Sequence, residues 1–142
     1  MVRIIVAGSR DFNDYELLKE KLDLVKEAIG EFEVVSGKAR GADSLGERYA
    51  RENDLPIAEF PADWDKHGKS AGYKRNAEMA DYAEGCIVFW DGISKGTQHM
   101  INLAKEKELN LAIVNYDRSR KGLPEQRPEP IKGVSGFTKR LL

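Results

Sequence analysis

Short apolar runs rich in β-branched residues alternate with longer stretches of helical periodicity from residue 2 to residue 115. Such runs predict strands, and the periodic stretches predict the helices between them. The predicted strands cover residues 2–7, 33–36, 57–60, 86–90 and 111–115, and the predicted helices cover residues 14–29, 43–52, 71–83 and 96–107. Strands that alternate with helices pair in parallel, with the helices on both faces of the sheet. We therefore expect an α/β fold with a doubly wound, mostly parallel five-stranded sheet in the order 3-2-1-4-5.

The composition narrows the class of protein further. The 142 residues suit one domain over residues 1–116, followed by a proline-containing basic tail over residues 117–142. The tail has 7 basic and 3 acidic residues, so it carries +4, while residues 1–116 carry −5 of the net −1. The longest apolar run, residues 86–90, is far shorter than the roughly 20 residues that cross a bilayer. The start of the chain does not have the pattern of a signal peptide, and a single cysteine suits a reducing compartment, so we expect a cytoplasmic protein.

Three glycine-bearing loops follow the first, second and fourth predicted strands. In a doubly wound sheet such loops meet at one crevice, where the strand order reverses. Glycine lets the backbone approach a ligand, arginine binds phosphate through two N–H groups, and a helix N-terminus attracts anions. We therefore predict a phosphate or nucleotide site. The candidate ligand-binding residues are Gly8, Ser9, Arg10, Gly37, Arg40, Gly41, Asp43, Asp91, Gly92, Ser94, Gly96 and Thr97, supported by Arg75 and Asn76 near the start of the helix before the fourth strand.

Each loop also has a purely structural interpretation. Arg10 would pair with a surface carboxylate at a tight turn, and Asp43 would cap the second helix. Ser44 and Glu47 have the spacing of a capping box at the same helix start. The loops lack both the G-x-G-x-x-G pattern and the Walker A pattern, so an ordinary NAD site or P-loop is not expected.

The polar segment 61–70 is predicted to be a loop that forms a lid or wall beside the crevice. Trp64 in this segment offers a surface on which a nucleobase can stack. Asp63, Asp65 and His67 stand close by in the sequence, but nothing completes a ligand shell, so no metal is expected.

Five segments together carry a family resemblance: residues 7–12 (AGSRDF), 35–43 (VSGKARGAD), 61–64 (PADW), 75–79 (RNAEM) and 89–97 (FWDGISKGT). As a combination they resemble the YspA-type branch of the SLOG superfamily, which is named after the Smf/DprA proteins and the LOG cytokinin-activating enzymes. The resemblance covers about residues 2–115. It implies a Rossmann-like fold and a site for a nucleotide or nucleotide-derived ligand, such as an ADP-ribose-like molecule or a nucleoside monophosphate, with no separate cofactor. Family members commonly pair through helices, so a homodimer is also expected.

The resemblance leaves three functions open. LOG enzymes carry an arginine four residues before a methionine, as Arg75 precedes Met79 here, and then a Gly-Thr-x-x-Glu motif in which this chain has Met100 instead of the glutamate. Because a thioether does not replace a catalytic carboxylate, sensing or sequestering a nucleotide derivative is the favoured function. The alternative is a LOG-like N-glycosidase or phosphoribohydrolase that uses Arg75 with another carboxylate, such as Asp91, Glu78 or Asp43. A second alternative is DprA-like binding of single-stranded nucleic acid, which the negative charge of residues 1–116 disfavours.

Overall fold

The computed structural model describes residues 1–116, and the predicted tail lies outside the described residues. The strands are β1 (Val2–Gly8), β2 (Phe32–Ser36), β3 (Ile57–Glu59), β4 (Gly85–Trp90) and β5 (Asn110–Asn115). The α-helices are α1 (Tyr15–Ile29), α2 (Ala42–Glu52), α3 (Trp64–His67), α4 (Ala71–Tyr82) and α5 (Lys95–Glu106), and a 3-10 turn (Gly68–Ser70) joins α3 to α4.

The five strands form one parallel sheet in the order β3-β2-β1-β4-β5. Ile5 in the central strand β1 is in register with Val35 of β2 on one side and Cys86 of β4 on the other. The Rossmann-like α/β fold and the strand order predicted from the sequence are therefore confirmed. All strands point the same way, so the loops that follow β1, β2 and β4 emerge at the same edge of the sheet.

The sheet is covered on both faces by separate apolar clusters. Alternate residues of β1 point to opposite sides, so that Ile4 and Val6 pack in one cluster with α1 and α2, while Ile5 and Ala7 pack in the other with α4 and α5. Residues 86–89 of β4 are fully buried, which explains their uninterrupted apolar character. None of the helices within residues 1–116 is long and apolar enough to cross a membrane.

Two local predictions were wrong. Residues 61–70 are not a plain loop, because the Asp63 carboxylate accepts a hydrogen bond from the Lys66 N–H at 3.1 Å and starts the short helix α3. The capping box does not form either, since α2 begins at Ala42 with Gly41 as its N-cap. The Glu47 carboxylate is drawn away to the Ser36 hydroxyl, which donates to it at 2.6 Å.

Candidate functional site

The loop after β1 lies directly against the loops after β2 and β4. A Cβ atom on Gly8 would stand 2.3 Å from the Phe89 carbonyl oxygen and 2.8 Å from the Ala42 Cβ, so only glycine allows this approach. Gly41 has a φ of +75°, and a Cβ there would stand 2.3 Å from the Ser9 carbonyl oxygen. These close contacts bring the start of α2 and the end of β4 to the same point of the sheet edge.

A network of hydrogen bonds connects the loop after β4 to the loop after β1. The Ser9 side chain is buried, and its hydroxyl accepts hydrogen bonds from the Asp91 N–H at 3.3 Å and the Ser94 hydroxyl at 2.9 Å. The Asp91 carboxylate accepts from the N–H groups of Ile93 and Ser94 at 2.9 and 2.8 Å. Burial alone would raise the pKa of Asp91, but the hydrogen bonds from these N–H groups and from the hydroxyls of Ser94 and Ser9 hold it below its usual value. Ser9, Asp91 and Ser94 therefore position the loop.

Two adjoining cavities open at this edge of the sheet. The inner cavity, of about 290 Å³, is lined by Ala7, Gly8, Arg10, Ala39, Asp43, Trp64, Lys69, Gly72, Tyr73, Arg75, Asn76, Met79, Gly96, Thr97 and Met100. The outer cavity, of about 440 Å³, is lined by Arg10, Gly37, Lys38, Ala39, Arg40, Pro61, Ala62, Trp64 and Arg75. Together they have the size of a typical small-molecule site.

Arg75 and Asp43 meet across Gly37. A Cβ on Gly37 would stand 2.5 Å from Arg75 Nη1 and 2.9 Å from Asp43 Oδ2, and Arg75 Nη1 donates to the Gly37 carbonyl oxygen. Burial lowers the pKa of Arg75, against the attraction of Asp43, and the positive charge of Arg10 lowers it further. Burial raises the pKa of Asp43 to about 6, although Arg75 and the N–H groups of Ala39 and Gly37 oppose this. The pair places a buried cation and a titratable carboxyl group on the cavity wall.

Asn76, the residue after Arg75 on α4, connects the Arg75 guanidinium to α5. Its amide oxygen accepts from Arg75 Nε at 3.0 Å, while its amide nitrogen lies 3.2 Å from His99 Nδ1 and 3.5 Å from the Gly96 carbonyl oxygen. Burial lowers the pKa of His99, with Glu106 opposing, so the neutral ring suits an acceptor nitrogen facing this amide. The His99 ring also contacts Tyr73 edge to face, with 4.5 Å between the centroids.

The two cavities together form one cleft. The arginines that line this cleft differ from the other arginines among residues 1–116. Arg3, Arg48 and Arg51 each have a carboxylate oxygen within 4 Å. Arg10, Arg40 and Arg75, which line the two cavities, have no carboxylate within that distance among the described residues. The Arg10 guanidinium faces the Trp64 ring, with 6.0 Å between Cζ and the ring centroid, instead of forming the predicted surface ion pair. Positive charge is thus concentrated on one cleft.

The start of α5 provides the opposite wall. Gly96 and Thr97 belong to the first turn of this helix and line the inner cavity, where the N-terminal N–H groups carry partial positive charge. Met100 also lines the inner cavity, yet its side chain is only 1% exposed and packs in the apolar cluster of α4 and α5. Met100 therefore borders the inner cavity while its side chain belongs to the apolar core.

The structure brings most of the predicted ligand-binding residues together. Those that line one of the two cavities are Gly8, Arg10, Gly37, Arg40, Asp43, Arg75, Asn76, Gly96 and Thr97. Those that line neither are Ser9, Gly41, Asp91, Gly92 and Ser94, which shape the surrounding loops.

Other candidates have different positions. Asp43 does not cap α2 as predicted, because it lies inside the first turn and accepts instead from the Ala39 N–H at 3.3 Å. Glu78, a candidate carboxylate for catalysis, is exposed on α4 and lines neither cavity. No group of three or more metal-ligating side chains forms within residues 1–116.

Sequence reasoning missed Lys69 and Tyr73 of the inner cavity and the contact of His99 with Asn76. Tyr73 is four residues before Ala77, so the spacing places both on one side of the helix but does not show that this side faces a cavity. His99 is three residues after Gly96, so it lies on the same side of α5 as that glycine, which is the one signal that pointed toward it. Nothing in the sequence singled out Lys69.

Comparisons with known proteins agree with this architecture. The model of the YspA, cpYpsA-related SLOG family matches residues 2–67. Gene 61 protein of Mycobacterium phage D29 is 34% identical over 124 residues, covering 82% of this chain and 97% of that protein.

Two solved structures are similar in fold at 16% sequence identity. DNA processing protein A (DprA) from Streptococcus pneumoniae matches with a TM-score of 0.64, over 99% of this chain and 56% of that chain. DprA from Helicobacter pylori, whose structure concerns its single-stranded DNA binding mode, matches with a TM-score of 0.59 over 98% of this chain and 72% of that chain. This chain thus spans little more than half of the pneumococcal protein. From the family match and the phage relative together, the chain belongs to the YspA, cpYpsA-related SLOG family.

Proposed function

We propose that the cleft binds a nucleotide or a nucleotide-derived small molecule. The observation that carries this proposal is the set of three arginines, Arg10, Arg40 and Arg75, which line the cleft without a carboxylate within 4 Å among residues 1–116. Guanidinium groups bind phosphate through paired N–H groups, and a phosphate would neutralise positive charge that forms no direct ion pair within residues 1–116.

The same cleft offers an aromatic surface for a base. Trp64 lines both cavities and is 49% exposed, and Tyr73 lines the inner cavity and is 47% exposed. Asp63 starts α3 immediately before Trp64, and the ring edge of Trp64 would lie 3.4 Å from a Cβ on Gly72, so the ring lies close to the start of α4. An aromatic ring beside cationic groups suits a ligand that joins a planar base to a phosphate.

Met100 supports binding without hydrolysis. Cleavage of an N-glycosidic bond needs a carboxylate to stabilise positive charge on the ribose or to activate water. A buried thioether at position 100 of the inner cavity supplies neither. Among the residues that the structure describes, Asp43 is the one aspartate or glutamate on the inner cavity, and its carboxylate faces Arg75 and the Ala39 N–H.

Thermal unfolding with a panel of ligands tests the proposal. A ligand at about 100 times its dissociation constant stabilises the folded chain by roughly 2.7 kcal/mol, which is a clear shift in melting temperature. We expect nucleotides to produce this shift, and Arg10→Ala to weaken it. Arg51→Ala is the matched control, because the Arg51 side chain is 63% exposed on α2 and lines neither cavity. If no mononucleotide, dinucleotide or ADP-ribose shifts the melting curve, the proposal fails.

A second candidate function is single-stranded nucleic acid binding, which the fold similarity to Helicobacter pylori DprA favours. The cleft arginines would then contact successive backbone phosphates. Binding to an oligonucleotide that weakens steeply as salt rises, with a slope set by the number of phosphates contacted, would support this function. Tight binding of a mononucleotide with little salt dependence would support the small-molecule site instead.

A further inference from the structure

The inner and outer cavities share a wall but carry different cations. Arg10, Ala39, Trp64 and Arg75 line both, so the cavities lie on either side of these residues. Lys69 lines the inner cavity but not the outer one.

Arg40 and Lys38 line the outer cavity but not the inner one. The Lys38 ammonium is already bound to the carboxylates of Glu47 and Glu59, at 2.9 and 3.2 Å. Of the two cations that line only the outer cavity, Arg40 is therefore the one that has no carboxylate within 4 Å among residues 1–116. Within residues 1–116, each cavity thus has a cation of its own with no carboxylate within 4 Å, Lys69 in the inner cavity and Arg40 in the outer one, and the two arginines of the shared wall stand between them.

The shared wall is suited to the planar part of a ligand. The Trp64 ring is half exposed and faces the Arg10 guanidinium, whose Cζ is 6.0 Å from the ring centroid. A base that stacks on Trp64 would leave its ribose between the two cavities. Groups attached to opposite ends of that ribose would then enter different cavities.

Building on the function proposed above, we propose that the preferred ligand is a nucleoside with phosphates at both the 3′ and the 5′ positions. One phosphate binds in the inner cavity, with Lys69 and the first turn of α5, and the other binds near Arg40 in the outer cavity. A contiguous 5′-diphosphate fits this arrangement less well, because both of its charges leave the ribose on the same side. Free nucleoside bisphosphates and internal nucleotides of a single strand share this chemistry.

Calorimetric titration of the full chain with three matched probes tests the proposal. The probes are adenosine 5′-monophosphate, adenosine 5′-diphosphate and adenosine 3′,5′-bisphosphate. We expect the 3′,5′-bisphosphate to bind at least tenfold more tightly than the other two. Arg40→Ala should weaken the binding of the 3′,5′-bisphosphate at least tenfold more than that of the 5′-monophosphate, so that the advantage is lost. Arg51→Ala is again the control and should change none of the three affinities.

Two outcomes would overturn the proposal while the nucleotide site itself stands. One is equal affinity for the 5′-monophosphate and the 3′,5′-bisphosphate, and the other is an equal effect of Arg40→Ala on both. Failure of all three probes to bind would overturn the proposed function as well. A trinucleotide with a central adenosine distinguishes a free nucleoside bisphosphate from a nucleotide within a single strand. If the trinucleotide binds more tightly than the free bisphosphate and depends on Arg40 in the same way, the natural ligand is a single-stranded nucleic acid.

Discussion

At the scale of single residues, Gly37 determines how closely Arg75 approaches the loop after β2. A methyl group there would meet Arg75 Nη1 at 2.5 Å, so we expect Gly37→Ala to displace the guanidinium. The predicted result is a stability loss of about 1 kcal/mol and a loss of nucleotide affinity of roughly tenfold or more. Urea unfolding and calorimetric titration measure the two effects.

Gly96→Ala is the matched control for stability. A Cβ on Gly96 meets no atom within 4 Å, and the residue lies in the first turn of a helix. Alanine there should leave the stability unchanged or raise it by up to about 1 kcal/mol. If Gly37→Ala proves as stable as Gly96→Ala and binds nucleotide as tightly as the wild type, the close packing of Arg75 against Gly37 is not what positions it.

Asp43 makes stability depend on pH in a direction opposite to that of most carboxyl groups. Its pKa is raised to about 6 in the folded chain, from an ordinary value of 3.8, so the folded state holds the proton more tightly. Its contribution is therefore most favourable below pH 4 and is lost as the pH rises to 6. A pKa difference of about two units between the folded and unfolded chain corresponds to a loss of about 3 kcal/mol in the free energy of unfolding.

Asp43→Asn tests this dependence. The asparagine does not titrate, so the stability difference between the variant and the wild type should shift in favour of the variant as the pH rises from 4 to 7. Urea unfolding at pH 4, 5, 6 and 7 gives that difference directly. Comparing the two chains cancels the effects of other carboxyl groups, such as Asp23 and Glu52, whose pKa values are lowered. A difference that stays constant with pH would show that Asp43 is not buried as described.

Met100→Glu separates the two roles of position 100. The Met100 side chain is 1% exposed, so the variant would bury an ionised carboxylate among apolar side chains. We expect this to lower the free energy of unfolding by several kcal/mol. Met100→Leu keeps the volume and should cost less than about 1.5 kcal/mol. We expect melting curves to show this order. Stability of Met100→Glu equal to that of the wild type would mean that the position opens freely to the cavity.

At the scale of elements, the loop between β4 and α5 depends on one carboxylate. Asp91 accepts from the N–H groups of Ile93 and Ser94, and Ser94 is linked to Ser9 of the first loop. We expect Asp91→Ala to cost about 1–3 kcal/mol, because these N–H groups lose their acceptor. Hydrogen exchange of the Ile93 and Ser94 amides should become faster. Asp91→Asn keeps one acceptor oxygen and should change exchange less.

The element α2 shows why a local signal can mislead. The spacing of Ser44 and Glu47 is that of a capping box, but capping needs the Glu47 carboxylate to turn back to its own helix start. In the folded chain the Ser36 hydroxyl, at the end of β2, and the Lys38 ammonium, in the loop that follows, bind that carboxylate at 2.6 and 2.9 Å. Contacts with the preceding strand and loop therefore outweighed the local pattern, and the spacing of Ser44 and Glu47 carries no information about them.

At the scale of the whole molecule, the two apolar clusters share the central strands. Ile4 of β1 and Ile87 of β4 belong to one cluster, and Ile5 and Val88, their neighbours in sequence, belong to the other. Neither cluster can lose its packing without disturbing the backbone that supports the other. We expect one cooperative unfolding transition, with coincident urea midpoints by tryptophan fluorescence and by far-ultraviolet circular dichroism. Separate midpoints would contradict this coupling.

The sequence by itself determined the fold class, the strand order and the edge of the sheet at which the two cavities open. Runs such as residues 86–90 are apolar throughout because a central parallel strand is buried on both faces, and this property is visible residue by residue. The positions of the loops then follow from the direction of the strands. Gly8 and Gly41 could likewise be singled out from the sequence, because close backbone approaches require glycine.

Only the tertiary structure decided which residues of these loops face the cleft. Ser9, Asp91 and Ser94 bind one another across more than 80 positions of sequence, so they hold the loops together. Arg40 and Lys38 stand two positions apart, yet Lys38 is neutralised by Glu47 and Glu59, while Arg40 has no carboxylate within 4 Å among residues 1–116. Which charges remain unpaired depends on distances between elements that are remote in the chain. Local periodicity and spacing carry no information about those distances.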